Sequence, residues 1–265
     1  MNLLIDIGNT NLRWVSQEGI DLGEPESVRH SGGVPLDLMA AWESLTAPRR
    51  VLVANVGGEP VAAAVGRVVR ALWGLQAEPV AVRQAYLGLR VAYPDPSRLG
   101  VDRWLAMLGA LGLGNGGALI VDAGTAVTYD LLLPGGDHLG GLILPGIEMM
   151  RVALLQGTRI PLAGPDPAPG ISIEEPWATD TGTALVSGPV QALGALADRL
   201  YDRLVLRCGP LSGARPGPGA EAAAPRLLLT GGDAGRLAQA IGRPLTIVPD
   251  LVLLGLVRLT EGPGG

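Results

Sequence analysis

Two short segments share one arrangement of a carboxylate, a glycine and small polar residues. The first is Asp6-Ile7-Gly8-Asn9-Thr10-Asn11, and the second is Asp122-Ala123-Gly124-Thr125-Ala126. Each follows a short apolar run, which predicts a buried strand that ends at the carboxylate and is followed by a turn. Such a carboxylate can bind Mg²⁺, and the glycine lets backbone N–H groups face a phosphate. An Asx-stabilised hairpin explains either copy alone, whereas two copies favour phosphate binding.

A third candidate is the pair Asp102 and Arg103. Pro94 and Pro96 favour an extended backbone before it, and a helix is predicted to begin near Val101, so Asp102 lies in the first turn. A carboxylate there can take the proton of an alcohol during phosphoryl transfer, and a guanidinium suits a carboxylate or phosphate ligand. The alternative is a helix-start acid beside a surface arginine, which contributes only a fraction of a kcal/mol.

The chain contains no lysine, so all 20 residues counted as Lys+Arg are arginine. A P-loop requires its lysine on the phosphates, and a protein kinase requires the lysine of its third strand. Both classes are therefore excluded. If the chain binds ATP, backbone N–H groups, hydroxyls, Mg²⁺ or arginine must hold the phosphates.

Composition excludes several further classes. A net charge of −5 gives no basic surface for nucleic acid or anionic membrane. The single cysteine, Cys208, excludes an internal disulfide, and two histidines argue against a histidine metal site, so we expect His30 and His138 on the surface. The first residues run into an apolar strand without a basic segment, which predicts no secretory signal and a cytoplasmic protein.

Strands alternate with helices along the chain, which predicts an α/β fold. Predicted strands lie at 3–5, 12–15, 51–54, 80–82, 118–121, 129–133 and 227–229, and predicted helices at 60–75, 101–113, 148–155 and 181–204. A strand followed by an apolar helix is predicted over 247–257. The repeated hairpin predicts two related lobes, 1–116 and 117–265. Thr230-Gly231-Gly232 lies between a strand and a helix, where glycines allow a flat ligand such as adenine to approach, although a plain turn explains it equally well.

The order of hairpin, hairpin and strand-Gly-Gly-helix resembles the phosphate-1, phosphate-2 and adenosine motifs of the superfamily of actin, the heat-shock ATPases and the sugar kinases. More closely, the chain resembles the type III pantothenate kinases. The motifs that carry this resemblance occur in family order: Asp6 to Asn11, Tyr93 to Arg103, Asp122 to Ala126, Gly140-Gly141, Pro145-Gly146, Thr181 with Ala184 and Gly188, and Pro249 to Leu253. The sequence departs from the family at Val101, usually alanine, and at Arg13-Trp14, where small or aliphatic residues are usual.

The resemblance implies two related ribonuclease-H-like lobes, the actin-like ATPase fold, around a nucleotide cleft. Lobe 1–116 would carry the first phosphate hairpin and the substrate segment, and lobe 117–265 the second hairpin and the adenosine motif. The implied reaction is ATP-dependent phosphorylation of pantothenate to 4′-phosphopantothenate, the first step of coenzyme A biosynthesis. Family members are homodimers whose substrate site lies near the subunit interface.

The resemblance also implies roles for individual residues. Asp102 would be the general base, and Asp122 would bind a monovalent cation, K⁺ or NH₄⁺. Pantothenate would contact Tyr93, Gly100, Val101, Asp102, Arg103 and Thr181. ATP would contact Asp6, Ile7, Gly8, Asn9, Thr10, Asn11, Leu12, Arg13 and Thr125. The residue types alone make Asp6 a candidate for Mg²⁺ as well.

Two other functions fit the same residues. One is a regulator with this fold, as in the Bvg accessory factor group, which closely resembles these kinases. The other is a kinase of a different small alcohol, because a fold does not fix a substrate. Glu148, at a predicted helix start, is a further acid that could approach the ligand, although acids are common at helix starts for electrostatic reasons alone.

Overall fold

The computed structural model describes residues 1–19, 21–160, 177–208 and 224–261. The chain forms two compact units. The first unit comprises Met1–Leu113 together with Asp250–Gly265, and the second comprises Gly114–Pro249. None of the helices in the described ranges combines the length and apolar character needed to cross a membrane.

Thirteen strands and seven α-helices occur in the described residues. The strands are β1 Asn2–Ile7, β2 Asn11–Glu18, β3 Asp21–Leu22, β4 Glu26–Arg29, β5 Val51–Asn55, β6 Glu78–Pro79, β7 Ala85–Tyr86, β8 Leu89–Arg90, β9 Ala118–Ala123, β10 Ala126–Leu132, β11 His138–Pro145, β12 Arg226–Thr230 and β13 Thr246–Ile247. The helices are α1 Leu36–Glu43, α2 Glu59–Trp73, α3 Val101–Gly112, α4 Ile147–Gly157, α5 Thr181–Cys208, α6 Ala234–Ala238 and α7 Leu251–Glu261.

The first unit is built on a six-stranded sheet in the order β3-β2-β1-β5-β6, with β4 also paired to β2. β1 runs antiparallel to β2 and parallel to β5. Alternate residues of β1, including Leu3 and Ile5, are fully buried against α1 and α2. Val61, Val65 and Val69 repeat every four residues and therefore form one buried face of α2.

The second unit repeats this arrangement. Its sheet has the order β11-β10-β9-β12-β13, and β9 runs antiparallel to β10 and parallel to β12. β1, β2, β5 and β6 thus correspond to β9, β10, β12 and β13 in order and direction. α5 packs its buried residues against this sheet, and the Tyr129 hydroxyl donates to the Leu193 carbonyl over 2.8 Å. The prediction of an α/β fold with two related lobes is confirmed.

The boundaries of the units differ from the predicted lobes at the C-terminus. The prediction from the sequence assigned all of 117–265 to one lobe, whereas α7 packs on α3, β1 and β2 of the first unit. A Cβ atom at Gly255 would lie 2.1 Å from the Leu105 carbonyl oxygen, so the two helices approach at backbone distance. This contact joins residues about 150 positions apart in the chain, and no local pattern indicates it.

Several elements differ from the predicted ones. The strand predicted at 80–82 is wrong, because the pairing with β5 lies two residues earlier, at Glu78 and Pro79. Helix α1 and five strands were not predicted, namely β3, β4, β7, β8 and β11. β11 lacks the alternation of a half-buried strand, since neighbouring Leu142 and Ile143 are both exposed.

Candidate active site

The first hairpin joins β1 to β2. Asp6 lies one residue before the end of β1 and opposite Arg13, and the N–H of Gly8 donates to the Asn11 carbonyl over 2.9 Å to close the turn. Ile7 and Leu12 have fully buried side chains, whereas Asn9 and Asn11 are exposed. Any contact of Ile7 or Leu12 with a nucleotide must therefore be made by the backbone.

Two neighbouring segments support this hairpin. The N–H groups of Val56 and Gly57 both donate to the Ile7 carbonyl, over 2.9 and 3.0 Å. A Cβ atom at position 57 would lie 2.3 Å from the Gly8 carbonyl oxygen, so only glycine fits beside the turn. The second support is His30, whose Nε2 lies 2.8 Å from the Gly8 carbonyl oxygen.

The expectation that both histidines lie on the surface is wrong. His30 is 8% exposed and His138 is 5% exposed. His138 Nε2 lies 3.0 Å from a carboxylate oxygen of Asp130, which is itself buried. Both imidazoles are buried because each has a hydrogen-bond partner in the interior, which a count of histidines cannot reveal. The described residues contain no cluster of three or more His, Cys, Asp or Glu side chains able to hold a metal ion.

The structure explains the departure from the family pattern at Arg13 and Trp14. The Trp14 ring is 4% exposed and meets Trp42 edge to face, with ring centroids 6.1 Å apart. Trp14 therefore belongs to the core of the first unit. Arg13 forms an ion pair with Asp250, the residue that precedes α7.

The second hairpin joins β9 to β10 and has the same construction with one residue fewer. The N–H of Gly124 donates to the Ala126 carbonyl over 3.0 Å, and Thr125 is exposed at the tip. Asp122 is partly buried near the end of β9, opposite Thr128 of β10 and beside Thr230 of β12. A carboxylate therefore lies just before the turn, as in the first hairpin.

The predicted strand-Gly-Gly-helix element is formed by β12 and α6. The buried Thr230 hydroxyl donates to the Pro249 carbonyl over 3.0 Å, which fixes the end of β12. The N–H of Asp233 donates to the Ala123 carbonyl over 2.9 Å. The turn after β12 therefore packs against the second hairpin.

The structure brings together Tyr93, Gly100, Asp102 and Arg103 at the start of α3. Arg103 is only 5% exposed, and its guanidinium donates to the Tyr93 hydroxyl over 3.1 Å. One carboxylate oxygen of Asp102 accepts the N–H of Arg103 over 2.8 Å. A Cβ atom at Gly100 would lie 2.5 Å from that same oxygen, so glycine leaves the space that the carboxylate occupies. Val101 is buried, with its side chain 9% exposed.

The remaining candidates lie in the second unit. Thr181 is the exposed first residue of α5. Asp180 precedes it and accepts the N–H of Thr183 over 2.9 Å, a hydrogen bond that lowers the pKa of Asp180. Glu148 is paired with Arg151 over 2.6 Å, and this hydrogen bond lowers the pKa of Glu148. An ion pair within α4 thus accounts for Glu148 without a ligand.

Comparison with known proteins gives one family. The sequence model of type III pantothenate kinase matches residues 2–203, a range that contains both hairpins, Asp102 and Thr181. The chain belongs to the type III pantothenate kinase family. This confirms the resemblance predicted from the motifs.

Relatives named as type III pantothenate kinases match over nearly their whole length. The protein of Nitrosococcus oceani is 34% identical over 98% of this chain and 94% of its own, and that of Leptothrix cholodnii is 36% identical over 98% and 96%. A crystal structure described as a conserved Baf family transcriptional activator from Campylobacter jejuni superposes with a TM-score of 0.56 at 20% identity, over 98% of this chain and 97% of that one. At that identity the likeness shows the fold alone.

Proposed function

We propose that this family member transfers the γ-phosphoryl group of ATP to the terminal hydroxyl of pantothenate and so forms 4′-phosphopantothenate, the first step of coenzyme A biosynthesis. The observation that carries the proposal is the family match over residues 2–203. The cluster at the start of α3 supports it, because it combines the partly buried Asp102 carboxylate with the planar donor of Arg103, which suits the carboxylate of pantothenate.

Asp102 is the general base of the proposed reaction. The pantothenate hydroxyl attacks the γ-phosphorus, its proton passes to the Asp102 carboxylate, and the bond from phosphorus to the β,γ-bridging oxygen breaks to release ADP. The N–H of Arg103 orients this carboxylate. Tyr93, Gly100, Val101, Arg103 and Thr181 line the pantothenate site in this proposal, with Arg103 held in place by the Tyr93 hydroxyl.

The first hairpin, Asp6 to Arg13, and Thr125 of the second hairpin bind ATP in this proposal. The residues fit a polyphosphate that is held without lysine. Exposed Asn9 and Asn11 offer amide donors, and the packing of Gly57 on the Gly8 carbonyl leaves the turn well supported. The Arg13 side chain forms an ion pair with Asp250, so we propose that Arg13 contacts ATP through its backbone.

A divalent ion fits this site if the nucleotide supplies most of its ligands. Mg²⁺ is commonly held by one or two carboxylates, several waters and substrate phosphates. Asp6 provides one carboxylate at the end of β1, and the described residues contain no larger cluster that would form an all-protein cage. Bound Mg²⁺ would neutralise charge on the transferring phosphoryl group. We assign a monovalent cation, K⁺ or NH₄⁺, to Asp122 of the second hairpin.

We also propose a cytoplasmic homodimer. β11 is an edge strand of the second sheet, and it exposes Leu142 and Ile143 by 43% and 64%. Apolar side chains on an exposed edge favour association with another chain. α4, which follows β11 in the chain, also exposes an apolar side chain, Met149, by 47%.

A coupled assay of ADP release, with and without pantothenate, tests this function in a potassium buffer. Release that depends on pantothenate supports the proposal. A panel of other small alcohols in the same assay separates a pantothenate kinase from a kinase of another alcohol. ATP turnover that no alcohol stimulates would favour the regulator of the same fold.

A further inference from the structure

We propose that His30 is a positioning residue for the phosphate-binding turn of the first hairpin. Its imidazole holds the Gly8 carbonyl and thereby aims the next backbone N–H, that of Asn9, at the phosphates of ATP. The inference rests on the proposed function in one respect, namely that the first hairpin binds a nucleotide. His30 is not part of the motifs that carry the family resemblance.

The hydrogen bonds of His30 fix its tautomer. A carbonyl oxygen can only accept, so Nε2, 2.8 Å from the Gly8 oxygen, must carry the proton. Nδ1 then accepts the N–H of Gly32, which lies 3.3 Å away. With 8% of the residue exposed, both bonds are largely shielded from water. The ring is thus a fixed donor directed at the turn.

The peptide plane between Gly8 and Asn9 links the His30 contact to the orientation of the Asn9 N–H. In a trans peptide the C=O and the following N–H point in opposite directions, so fixing the Gly8 oxygen on His30 turns the Asn9 N–H away from His30. Asn9 is exposed at the tip of the turn, so a ligand can reach this N–H. Gly57 packs against the same carbonyl oxygen, which limits rotation of the plane. The result is a donor at the tip of the turn that is held ready for an anion.

Comparison of the two hairpins isolates the contribution of the side chain. The N–H of His30, just after β4, donates to the Thr10 carbonyl over 3.0 Å, and the N–H of Gly146, just after β11, donates to the Thr125 carbonyl over 2.9 Å. Both hairpins therefore share one backbone support. Gly146 has no side chain, so the second hairpin has no counterpart, at this position, of the imidazole contact that His30 makes.

The test compares His30→Ala and His30→Gln with the wild type. We expect His30→Ala to raise the KM for ATP and the Kd for Mg·ADP, measured by calorimetry, by about three- to tenfold, the effect of losing one neutral hydrogen bond. The KM for pantothenate should change by less than about twofold, because the substrate cluster at α3 keeps all its contacts. A glutamine amide can reach the position of Nε2, so His30→Gln should recover at least about half of the loss in nucleotide affinity.

Leu38→Ala is the control for a purely structural role. Leu38 is fully buried in the same core and does not belong to the hairpin, so its truncation should lower the melting temperature without changing the KM for ATP. Unchanged nucleotide affinity in His30→Ala, an equal rise of both KM values, no recovery in His30→Gln, or the same KM change in Leu38→Ala would each overturn the inference. If the wild type released no ADP in response to pantothenate, the proposed function would fail, while Mg·ADP calorimetry would still decide the role of His30.

Discussion

The carboxylate of Asp102 has a defined position because two neighbours in the chain determine it. The N–H of Arg103 donates to one carboxylate oxygen. Because Gly100 has no Cβ atom, it leaves room for that same oxygen. In our proposal this carboxylate is the general base, and these two neighbours hold one of its oxygens in place. Sequence alone predicted the helix start and the acid, but not the role of Gly100 in placing the oxygen.

We predict that Asp102→Asn lowers kcat by about 10²–10⁴-fold, the usual loss when a general base is removed. Asparagine keeps the shape of the side chain and its acceptor oxygen for Arg103, so nucleotide binding and melting temperature should stay close to wild type. Steady-state kinetics, calorimetry with Mg·ADP and thermal unfolding measure the three quantities.

Asp37→Asn is the matched control for this variant. Asp37 is also an acid in the first turn of a helix, but it is exposed on α1. Its neutralisation should leave kcat unchanged. A normal kcat in Asp102→Asn would remove Asp102 from the mechanism, and a large fall in melting temperature would make it a structural helix-start residue.

At the scale of elements, the two hairpins differ in what their carboxylates are expected to bind. We propose that a monovalent ion at Asp122 helps to neutralise the phosphates, so replacing potassium by a bulky organic cation at constant ionic strength should lower turnover. In Asp122→Ala this difference should disappear. Rates of ADP release in the two salts provide the measurement, and equal wild-type rates would refute the cation site.

The helix pair α3 and α7 permits a second prediction at this scale. A methyl group at Gly255 would lie 2.1 Å from the Leu105 carbonyl oxygen, so Gly255→Ala must push the helices apart. We expect a loss of about 1–3 kcal/mol or more in the free energy of unfolding, the range for overpacked interiors. Urea unfolding followed by circular dichroism gives the value.

Gly66→Ala serves as the control for Gly255→Ala. Gly66 lies within α2, and a Cβ atom there would meet nothing within 4 Å. Because alanine favours a helix over glycine, this change should stabilise the protein by up to about 1 kcal/mol. Equal effects of the two substitutions would show that α3 and α7 do not pack at backbone distance.

These elements show how far the sequence predicts the fold. The repeated Asp, Gly and Thr pattern predicted both hairpins, because the turn chemistry is local. Trp14 and His30 are buried through contacts with Trp42 and Gly8, which lie 28 and 22 positions away, and no spacing rule indicates such pairs. The position of α7 in the first unit depends on Gly255, which reads as an ordinary helical glycine in the sequence.

At the scale of the whole molecule, we predict a homodimer in solution. Light scattering after size-exclusion chromatography should give twice the chain mass of 27.2 kDa. Ile143→Asp places a charge on the exposed apolar edge of β11 and should shift the protein towards the monomer. Leu36→Asp changes a residue that is 80% exposed on α1, and it should leave the dimer intact. A wild-type monomer would contradict the dimer, and dissociation by both variants would contradict the assignment to β11.

The most direct test of the proposed activity is detection of its product. The protein is incubated with pantothenate and ATP in a potassium buffer, and the mixture is analysed by mass spectrometry and for ADP. We predict phosphopantothenate in the same molar amount as the ADP released, and a much slower formation of both in Asp102→Asn. ADP release without phosphopantothenate, or equal release when pantothenate is omitted, would contradict the assignment as a pantothenate kinase.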